Sequence, residues 1–482
     1  MSLIKFMVAG ERVEGAGQPF RSVNPATGET NYEVSGASKA DVASCVEMAA
    51  TAATSLQWRN LKPHQRASLL HRIADGMMSR AEDLAITQSR ENGKVIAESR
   101  KQVSNAAAVF RYYAAACETV GGELTPSRGD YLSMTTYEPY GVVAAVTPWN
   151  SPLTMEAQKV APALAAGNAI ILKPSEVTPT VAILLAEIAQ AAGVPAGIVN
   201  VLTGTGRETG LELIRHPKVR MISFTGGTAT GKLIAQTAAE RLIPCALELG
   251  GKSPHIIFAD ADLEAALDAV QDGIFEGSGQ SCVAGSRLFV QRSILDEVIA
   301  RLQDRVKRIQ VGMPFDPDSR MGPIASFQHR ETIERFVASA RDEGGEILAG
   351  GKRPDDRELE KGAFYLPTLI TGLSGGARVC REEIFGPVLV ILPFDHEDDL
   401  VAQANDTDYG LACGLWTPDV TRAMRVARQI DAGTVWINTY KQLSVSTPFG
   451  GFKSSGLGRE KGLAGLRLYQ QSKSIYLGGM SI

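Results

Sequence analysis

The segment GVVAAVTPWNSP (141–152) and the short apolar runs that follow it decide the fold. These later runs are AIILK (169–173), IVNVL (198–202), MISF (221–224) and CALEL (245–249). Each has the length and the Val/Ile content of a buried strand, and the stretches between them have the apolar spacing of helices. Helices are expected over 155–166 and 177–192, before Arg215 and from about Ala229. The pattern predicts a parallel, doubly wound α/β sheet, with sites at the carboxyl ends of its strands.

A second α/β region is predicted after residue 250. Its expected helices cover 261–275 and 294–309, and its expected strands are RLFVQ (287–291), VLVILPF (388–394), CGLW (413–416) and GTVWIN (433–438). In the first hundred residues we expect helices over 41–54, 64–80 and 81–93, packed around the first sheet. Alternating stretches at 123–138 and near the C-terminal end predict projecting strands. We expect these strands to pair with each other between subunits, because exposed edge strands tend to be covered.

Length, composition and charge restrict the functional class. The chain has 482 residues, of which 44% are apolar and 21% charged, so two or three folded domains are expected and disorder is excluded. The formal charge is −4 and no basic block occurs, which argues against nucleic-acid and membrane partners. No apolar run approaches a membrane span, and the N-terminal stretch lacks a signal-peptide core. We therefore expect a cytoplasmic protein whose partners are small molecules and copies of itself.

Cysteine and histidine usage bears on metals and disulfides. The six cysteines lie far apart without a CxxC pair, as is typical of a reducing compartment. The six histidines form no spacing that could complete a zinc tetrahedron, so no metal site is predicted. Cysteine chemistry in this chain should therefore be thiolate chemistry.

Cys282 is the first candidate for chemistry. It lies in FEGSGQSCVAGSR (275–287), a glycine-flanked turn between a predicted helix and a predicted strand, where the backbone can approach a ligand closely. A free cysteine titrates near 8.5, so a competent thiolate at neutral pH requires local charges or dipoles that lower this pKa. On the turn alone, a small buried apolar residue is an equally good interpretation.

Glu248 and Asn150 are the next two candidates. Glu248 ends an apolar strand, directly before two glycines, so its carboxylate should emerge at the carboxyl edge of the sheet and could activate water. A solvated or salt-bridged glutamate is the simpler alternative. Asn150 lies in the proline-bracketed turn TPWNSP (147–152), where its amide could donate to a developing oxyanion or serve only the turn.

Two glycine-rich loops are candidate phosphate-binding segments. SFTGGTATGK (223–232) places Gly226 and Gly227 between a strand and a helix start, and TGTGRETG (203–210) does the same one crossover earlier. Neither loop is the GxGxxG fingerprint or a Walker loop, so the glycines alone are a weak signal.

Lys173 and Glu176 form a further candidate site in LKPSE (172–176), directly after a strand. Together they could hold the hydroxyl groups of a ribose, although a surface pair without function has the same spacing. A glutamate at this point repels a 2′-phosphate and so favours NAD over NADP.

Seven blocks of sequence carry a family resemblance. In order they are TPWN (147–150), LKPSE (172–176), FTGGTATG (224–231), LELGGKSP (247–254), GQSCVAGSR (279–287), EEIFGPV (382–388) and PFGGFKSSGLGRE (448–460). In order and approximate spacing this set resembles the aldehyde dehydrogenase superfamily, in its hydrolytic, non-acylating branch. The blocks span about three hundred residues, and no single one would suffice.

The resemblance implies an aldehyde dehydrogenase-like α/β fold. It comprises two doubly wound parallel-sheet domains and a small β oligomerisation flap. Residues 1–119 and 140–249 would form a Rossmann-like NAD-binding domain, residues 250–455 the catalytic domain, and residues 120–139 and 464–482 the oligomerisation strands. A homodimer or homotetramer is implied.

The resemblance also implies roles for individual residues. Cys282 matches the nucleophile, Glu248 the general base, and Asn150 an oxyanion donor assisted by the backbone N–H of Cys282. Lys173 and Glu176 match the clamp on the adenosine ribose. The resemblance assigns Lys173 to both the catalytic and the cofactor-binding residues. Gly227 replaces a serine that is frequent in relatives, and Glu383 and Phe385 match positions that hold the nicotinamide half. The full set of remaining cofactor matches is Trp149, Gly206, Gly210, Phe224, Gly226, Gly227, Glu383 and Phe385.

The implied reaction is NAD-dependent oxidation of an aldehyde to a carboxylic acid, with NADP use left open. The thiolate of Cys282 adds to the carbonyl carbon, hydride leaves to nicotinamide, and water activated by Glu248 hydrolyses the resulting thioester. CoA-acylating relatives typically lack this base, so Glu248 argues for water as the final acceptor.

Several positions depart from the family pattern near the expected substrate pocket. Ser151, Gln158 and Glu276 stand where relatives often have bulky apolar residues, and Leu443 and Phe449 are expected to complete the pocket. The departures predict a wider and more polar pocket than a slot for long-chain aldehydes. They favour a polar or hydroxylated aldehyde, or a semialdehyde, as substrate.

Two other classes of function remain open from the sequence. The same fold with Cys282 could serve a CoA-acylating enzyme or a thioester or ester hydrolase, which an assay for NADH with and without CoA would separate. A non-catalytic, ligand-storing member of the fold is the third class, and the presence of Cys282, Glu248 and Asn150 together speaks against it.

Overall fold

Two large sheets, of eight and seven strands, form the frame of the protein, and the computed structural model describes residues 3–479. Up to residue 139 the elements are β1 (Leu3–Ile4), β2 (Phe6–Val8), β3 (Glu11–Val13), β4 (Gly17–Val23), β5 (Thr30–Gly36), α1 (Lys39–Thr54), α2 (Leu56–Arg59), α3 (Pro63–Ser79), α4 (Ala81–Asn92), α5 (Ile96–Thr119), β6 (Glu123–Thr125) and β7 (Tyr131–Pro139). The expectation that this region is helical is confirmed for α1, α3 and α4 but is wrong for the first five strands. Most residues of β3, β4 and β5 are exposed or half-exposed, so the apolar alternation that marks a strand is weak there, and the buried β2 is only three residues long.

The first large sheet contains the predicted doubly wound core. Its elements are β8 (Val142–Val146), α6 (Pro152–Ala166), β9 (Ala169–Lys173), α7 (Thr180–Ala191), β10 (Val199–Val201), α8 (Leu211–Arg215), β11 (Val219–Thr225), α9 (Thr228–Glu240) and β12 (Cys245–Glu248). The parallel strands run in the order β12-β11-β8-β9-β10, with β2 and β3 added beyond β10. The chain winds outward from β8 to β10 and then returns to the other side, so the topological switch point lies between β8 and β11. The α/β prediction is confirmed.

The second large sheet follows in the chain order that the sequence predicts. Its region contains β13 (Pro254–Ile257), α10 (Leu263–Phe275), β14 (Arg287–Gln291), α11 (Leu295–Lys307), α12 (Phe327–Asp342), β15 (Glu346–Ala349), β16 (Thr368–Thr371), α13 (Arg378–Arg381), β17 (Val388–Phe394), α14 (Glu397–Asn405), β18 (Tyr409–Gly410), β19 (Ala412–Trp416), α15 (Val420–Gln429) and β20 (Thr434–Ile437). The strand order is β15-β16-β17-β14-β13-β19-β20, and every neighbouring pair except β15 with β16 is parallel.

After the second sheet the chain returns to the first. The last elements are β21 (Phe452–Lys453), β22 (Gly456–Leu457), α16 (Gly462–Leu468) and β23 (Gln470–Gly478). Strand β22 pairs antiparallel with β12, and Leu466 and Tyr469 are buried in the core around the first sheet. A strand was expected from residue 464, but residues 464–468 are helical, because the apolar side of GLAGLRL packs on this core. Residues 480–482 of that expected strand lie outside the described residues.

Strands β7 and β23 pair with each other within one chain. The antiparallel register runs from Gln470 opposite Pro139 to Gly478 opposite Tyr131, and β6 lies on the other side of β7. The prediction that these two segments pair between subunits is therefore wrong. The physical reason is the return of α16 to the first core, which brings the start of β23 next to the end of β7.

Two negative findings hold for residues 3–479. No helix there is both long enough and apolar enough to cross a membrane. No group of three or more His, Cys, Asp or Glu side chains in the same part of the chain is placed to hold a metal ion.

Candidate active site

A cavity of about 360 Å³ brings the three chemical candidates together. Cys282, Glu248 and Asn150 all line it, although they are separated by up to 132 residues along the chain, the difference between positions 150 and 282. Asn150 follows β8, Glu248 is the last residue of β12, and Cys282 lies between α10 and β14. The five predicted pocket residues also line this cavity; they are Ser151, Gln158, Glu276, Leu443 and Phe449.

The turn before Cys282 depends on glycine. Gly277, Ser278 and Gly279 follow one another in the left-handed region, with φ of 66°, 58° and 71°. A Cβ at Gly279 would lie 2.2 Å from the backbone carbonyl carbon of Gly386, so a side chain is excluded there as well as strained. The turn therefore carries the chain from α10 into the cavity, where the Cys282 side chain is partly exposed.

Gly250 and Gly251 connect Glu248 to the segments that hold Cys282 and Glu383. A Cβ at Gly251 would lie 2.6 Å from the carbonyl oxygen of Cys282, and one at Gly250 would lie 2.1 Å from the Glu383 carboxyl group. The two glycines thus allow the loop after β12 to touch both neighbours. The three sequence blocks LELGGKSP, GQSCVAGSR and EEIFGPV meet at this point.

Asn150 is fixed by a hydrogen bond to the loop that precedes Cys282. Its Nδ2 donates to the carbonyl oxygen of Gln280 over 2.9 Å. Gln280 is itself held, because its Oε1 accepts a hydrogen bond from the backbone N–H of Ala325 over 2.9 Å. The Asn150 amide carries a second N–H that this contact does not use.

The thiol of Cys282 is harder to ionise than a free cysteine. Burial, together with the negative charges of Glu383 and Glu248, raises the pKa of Cys282 to about 12. The positive charge of Lys461 and the backbone N–H of Val283 act in the opposite direction. A thiolate at neutral pH requires a lowered pKa, and the surroundings of Cys282 do not supply it.

Glu248 is almost fully enclosed. Its residue is 5% exposed, and Oε2 has no hydrogen-bond partner among residues 3–479. Burial raises the pKa of Glu248 well above the usual range and the nearby Glu460 raises it further, while the charges of Lys159, Arg459 and Lys461 lower it. The buried site therefore favours the neutral carboxylic acid more than an exposed position would.

A buried polar network behind Glu248 escaped the sequence analysis. The ammonium of Lys159 lies 2.6 Å from Oε1 of Glu460 and donates to Oγ of Ser223 over 3.1 Å. The same hydroxyl accepts a hydrogen bond from the Tyr469 hydroxyl over 3.0 Å. Lys159 and Glu460 are 301 positions apart in the chain, and a single lysine in an apolar helix does not indicate its partner.

The residues predicted to hold the ribose lie in contact with one another at the ends of β9 and β10. The Lys173 ammonium lies 3.3 Å from Oε1 of Glu176, and this oxygen accepts a hydrogen bond from the backbone N–H of Gly206 over 2.6 Å. Burial lowers the pKa of Lys173, and Glu176 opposes that effect. Gly210 closes the turn, and a Cβ there would lie 3.9 Å from Cδ of Lys173.

The second glycine-rich loop lies between β11 and α9. A Cβ at Gly226 would lie 2.5 Å from the Phe224 ring, so the ring packs over the glycine backbone. The N–H of Gly226 donates to the carbonyl oxygen of Glu248 over 3.0 Å. Gly227 precedes the first turn of α9 and faces open space. The loop thus leaves room beside a helix N-terminus of the kind that binds phosphate.

Trp149 and Phe385 meet at a third residue that the sequence did not single out. The Trp149 ring lies 5.3 Å from the Phe385 ring and 5.4 Å from the His329 ring. Nε2 of His329 forms a 2.7 Å hydrogen bond with the carbonyl oxygen of Phe385, whose φ is 56°. Burial lowers the pKa of His329. His329 therefore fixes a strained backbone position at the predicted nicotinamide end.

The polar residues at the cavity mouth are mostly paired. The ammonium of Lys94 lies 3.1 Å from Oε2 of Glu98, and that of Lys441 lies 3.5 Å from Oε2 of Glu276. The other oxygen of Glu98 accepts a hydrogen bond from the backbone N–H of Gly277 over 3.0 Å. These ion pairs form a polar wall where the sequence predicts a widened pocket.

Fold and cavity together define an α/β protein with a cysteine, a carboxyl group and an amide at the carboxyl ends of its strands. The model of the aldehyde dehydrogenase family matches residues 13–475. The chain belongs to the aldehyde dehydrogenase family.

Solved structures of family members superpose closely on this chain. Betaine aldehyde dehydrogenase from Staphylococcus aureus in complex with NAD+ is 40% identical, with 98% of this chain and 95% of that chain covered and a TM-score of 0.97. The NAD+ complex of aldehyde dehydrogenase from Bacillus cereus is 38% identical, with 99% and 97% covered and a TM-score of 0.97. A point mutant of the S. aureus enzyme contains NAD+ and a BME-modified cysteine; it is 40% identical, with 98% and 96% covered and a TM-score of 0.97.

Proposed function

We propose that this protein oxidises an aldehyde to the carboxylic acid with NAD+, through a thioester on Cys282. The observation that carries the proposal is the placement of Cys282, Glu248 and Asn150 on one cavity. The balanced reaction consumes aldehyde, NAD+ and water and yields carboxylate, NADH and two protons.

The clamp at the ends of β9 and β10 supports NAD as the cofactor. The residues that would hold the ribose are Lys173 and Glu176, with the backbone of Gly206 beside them. The Glu176 carboxylate accepts hydrogen bonds from hydroxyl groups and repels a 2′-phosphate, which favours NAD over NADP. Bound NAD+ supplies the acceptor for the hydride that leaves the aldehyde carbon.

Cys282 and Asn150 serve the first half of the reaction. The thiol is protonated at neutral pH, so its S–H bond breaks as the sulfur of Cys282 bonds to the carbonyl carbon. This proton passes to solvent water and is one of the two protons that the balanced reaction releases. Negative charge then develops on the former carbonyl oxygen. The free N–H of Asn150 and the backbone N–H of Cys282 are the proposed donors to this oxygen, and losing one such donor typically costs about 2.7 to 4 kcal/mol of barrier.

Glu248 serves the second half. Water attacks the acyl carbon of the thioester, Glu248 accepts a proton from that water, and the C–S bond breaks to release the acid. A carboxylate whose pKa is raised by burial is a stronger base than an exposed one, provided that it is ionised. The Lys159 charge beside Glu460 favours that ionised form.

The wall of the cavity supports a polar aldehyde as substrate. Ser151, Gln158 and Glu276 line it as predicted, and the ion pairs of Lys94 and Lys441 keep charged groups next to the entering molecule. A long alkyl chain would leave these groups poorly hydrated. A panel in which kcat/KM rises steadily with the length of simple alkanals would contradict this preference.

Association of copies of the chain is part of the proposal. The sheet of β6, β7 and β23 carries exposed apolar side chains at Ile475, Tyr476 and Leu477. Exposed apolar residues on a projecting edge strand favour a homodimer or homotetramer. We also propose that residues 1–119 and 140–249 form an NAD-binding domain and residues 250–455 a catalytic domain, with the sheet of β6, β7 and β23 as the projecting third part.

The test of the proposed reaction compares Cys282→Ala with Cys117→Ala. Cys117 is buried in helix α5 and does not line the cavity, so its loss controls for removal of a thiol. We expect aldehyde-dependent NADH formation to fall below about one thousandth in Cys282→Ala, with NAD+ binding retained in a calorimetric titration. Added CoA should not raise the rate of the unsubstituted protein. NADH formation by Cys282→Ala at the rate of the control would overturn the mechanism.

A further inference from the structure

Lys461 places a positive charge on the wall of the Cys282 cavity. Its residue is 8% exposed, and it lines the cavity together with Cys282 and Phe449. The ammonium lies 5.1 Å from the centroid of the Phe449 ring. Within residues 3–479 this ammonium has no carboxylate at ion-pair distance and no hydrogen-bond acceptor. Lys461 is thus a nearly buried cation that lacks a protein partner at hydrogen-bonding distance.

The backbone holds Lys461 in a conformation that lysine rarely adopts. It precedes α16 with φ of 60° and ψ of 172°, a region that favours glycine. A non-glycine residue in such a region costs about 1 to 3 kcal/mol. Its neighbour Glu460 fixes the segment, because the backbones of Glu460 and Phe449 exchange two 2.8 Å hydrogen bonds. The strained position is therefore set by the surrounding structure and holds Lys461 on the cavity wall.

The other charges around the cavity do not neutralise Lys461. Glu460 is engaged by Lys159 at 2.6 Å, and Glu248 does not come within ion-pair distance of the Lys461 ammonium among residues 3–479. The remaining carboxylates of the wall, Glu98 and Glu276, each have a lysine partner of their own. The Lys461 ammonium therefore adds positive charge beside Cys282 with no carboxylate in contact among residues 3–479. Burial lowers the pKa of this ammonium, and the charges of Glu460 and Glu248 oppose that effect.

The same wall is poorly suited to a cationic substrate. Quaternary ammonium groups are bound by the faces of aromatic rings. Within the described residues, Phe449 is the one aromatic residue that lines the cavity, and the Lys461 ammonium already lies against its ring. A substrate such as betaine aldehyde, which carries a quaternary ammonium group, would meet a like charge at that point.

We propose that Lys461 binds the carboxylate of the substrate, so that the preferred aldehyde is an anionic semialdehyde. This inference rests on the proposed function, and it narrows the polar aldehydes to those that carry an acid group. An ammonium donating to a carboxylate forms a charge-assisted hydrogen bond, stronger than one to a neutral hydroxyl group. A cavity of about 360 Å³ is near the lower limit for ligand pockets and suits a short-chain substrate.

Lys461 has a second effect, which the test must separate from substrate binding. Its charge also lowers the pKa of the Cys282 thiol, so removing it slows the reaction with every aldehyde. Substrate binding concerns only the acid group. The ratio of kcat/KM for an anionic aldehyde to that for a neutral aldehyde of the same chain length therefore reports binding alone, because the effect on the thiol cancels.

The experiment measures that ratio for 4-oxobutanoate against butanal. We expect it to fall about 10- to 100-fold in Lys461→Met, the range for a hydrogen bond to a charged group, and to stay within a few-fold in Lys461→Arg. Lys62→Met, which removes an exposed lysine before α3, should leave the ratio unchanged. Betaine aldehyde should be a poor substrate of the unsubstituted protein and should improve relative to butanal in Lys461→Met.

A second measurement keeps the inference falsifiable apart from turnover. Succinate should protect Cys282 from alkylation by iodoacetamide in the unsubstituted protein and in Lys461→Arg, and should protect it much less in Lys461→Met. Two outcomes would overturn the role of Lys461 while the proposed function stands. The first is a preference of the unsubstituted protein for butanal. The second is an equal loss of kcat/KM for both substrates in Lys461→Met, together with unchanged protection by succinate. Failure of the proposed function would instead appear as no NADH from any aldehyde.

Discussion

The backbone N–H of Gly251 donates a hydrogen bond to Oε1 of Glu383 over 3.0 Å. The same glycine lies against the loop that contains Cys282, where a Cβ would come within 2.6 Å of the carbonyl oxygen of Cys282. Gly251 therefore sets the spacing between Glu383 and Cys282. Because Glu383 also raises the pKa of the thiol, this spacing bears on the reactivity of Cys282.

Gly251→Ala should lower activity through this contact. The added methyl group meets a backbone carbonyl group that cannot rotate away, so the Cys282 loop must shift. We expect about 1 to 3 kcal/mol of destabilisation and, for a displacement of about 1 Å at the nucleophile, a loss of about 100-fold in kcat. Steady-state NADH formation and thermal unfolding measure the two effects. Gly375→Ala, which faces open space, is the control, and equal behaviour of the two variants would contradict the argument.

The sequence predicts the fold best where strands are buried. Strands β9, β14 and β17 have the predicted bounds because each is a continuous apolar run between helices. Strands β4 and β5 are half-exposed and carry no such run. The pairing of β7 with β23 joins the middle of the chain to its C-terminal part, and no local pattern encodes such a contact.

The candidate site follows the same division. Cys282, Glu248 and Asn150 were placed from their own sequence blocks, and the structure brings them to one cavity. Lys159 and Lys461 were missed because their significance depends on burial and on the charges around them. Each of them is an isolated lysine in the sequence. The folded chain shows that Lys159 forms an ion pair, whereas Lys461 has no carboxylate partner within residues 3–479.

Glu248→Gln should make the thiol of Cys282 easier to ionise. The negative charge of Glu248 disfavours a thiolate and raises the pKa of Cys282, so its removal lowers that pKa. The effect requires an ionised Glu248, whose own pKa is raised by burial. The alkylation rates of the two proteins should therefore agree at low pH and separate as pH rises, with the variant faster. Iodoacetamide labelling of Cys282, followed by mass spectrometry across pH, measures this.

The same substitution should separate the two halves of the reaction. Without the proposed base, the thioester on Cys282 still forms and yields NADH, while its hydrolysis slows. We therefore expect a burst of NADH near one equivalent and little steady turnover. An unchanged steady rate would remove Glu248 from the mechanism. Alkylation profiles that coincide at every pH would show that its charge does not reach the thiol.

Glu156 is a buried acid that the proposed mechanism does not use. It lies in α6, is fully buried, and neither of its carboxyl oxygens has a hydrogen-bond partner among residues 3–479. Burial raises the pKa of Glu156 well above its usual range, and the negative charge of Glu91 raises it further. The folded protein therefore favours the neutral form of Glu156 over a wider pH range than the unfolded chain does. An exposed glutamate, as in the unfolded chain, has an ordinary pKa of about 4.3.

This difference predicts that Glu156→Gln gains stability relative to the unsubstituted protein as pH rises. A group whose pKa is higher in the folded state contributes its full stabilisation of the fold at pH values below its pKa in the unfolded chain. As pH rises from that value towards the pKa in the folded state, this contribution to the free energy of unfolding is lost by about 1.4 kcal/mol per pH unit. Glutamine does not titrate and loses nothing. We subtract the unfolding midpoint of the unsubstituted protein from that of Glu156→Gln. This difference should increase between pH 5 and pH 8, which lie about one and four units above the ordinary pKa of glutamate. Glu358→Gln, an exposed counterpart, should show no such trend. A midpoint difference that is constant across this range would mean that Glu156 is not held neutral by the fold.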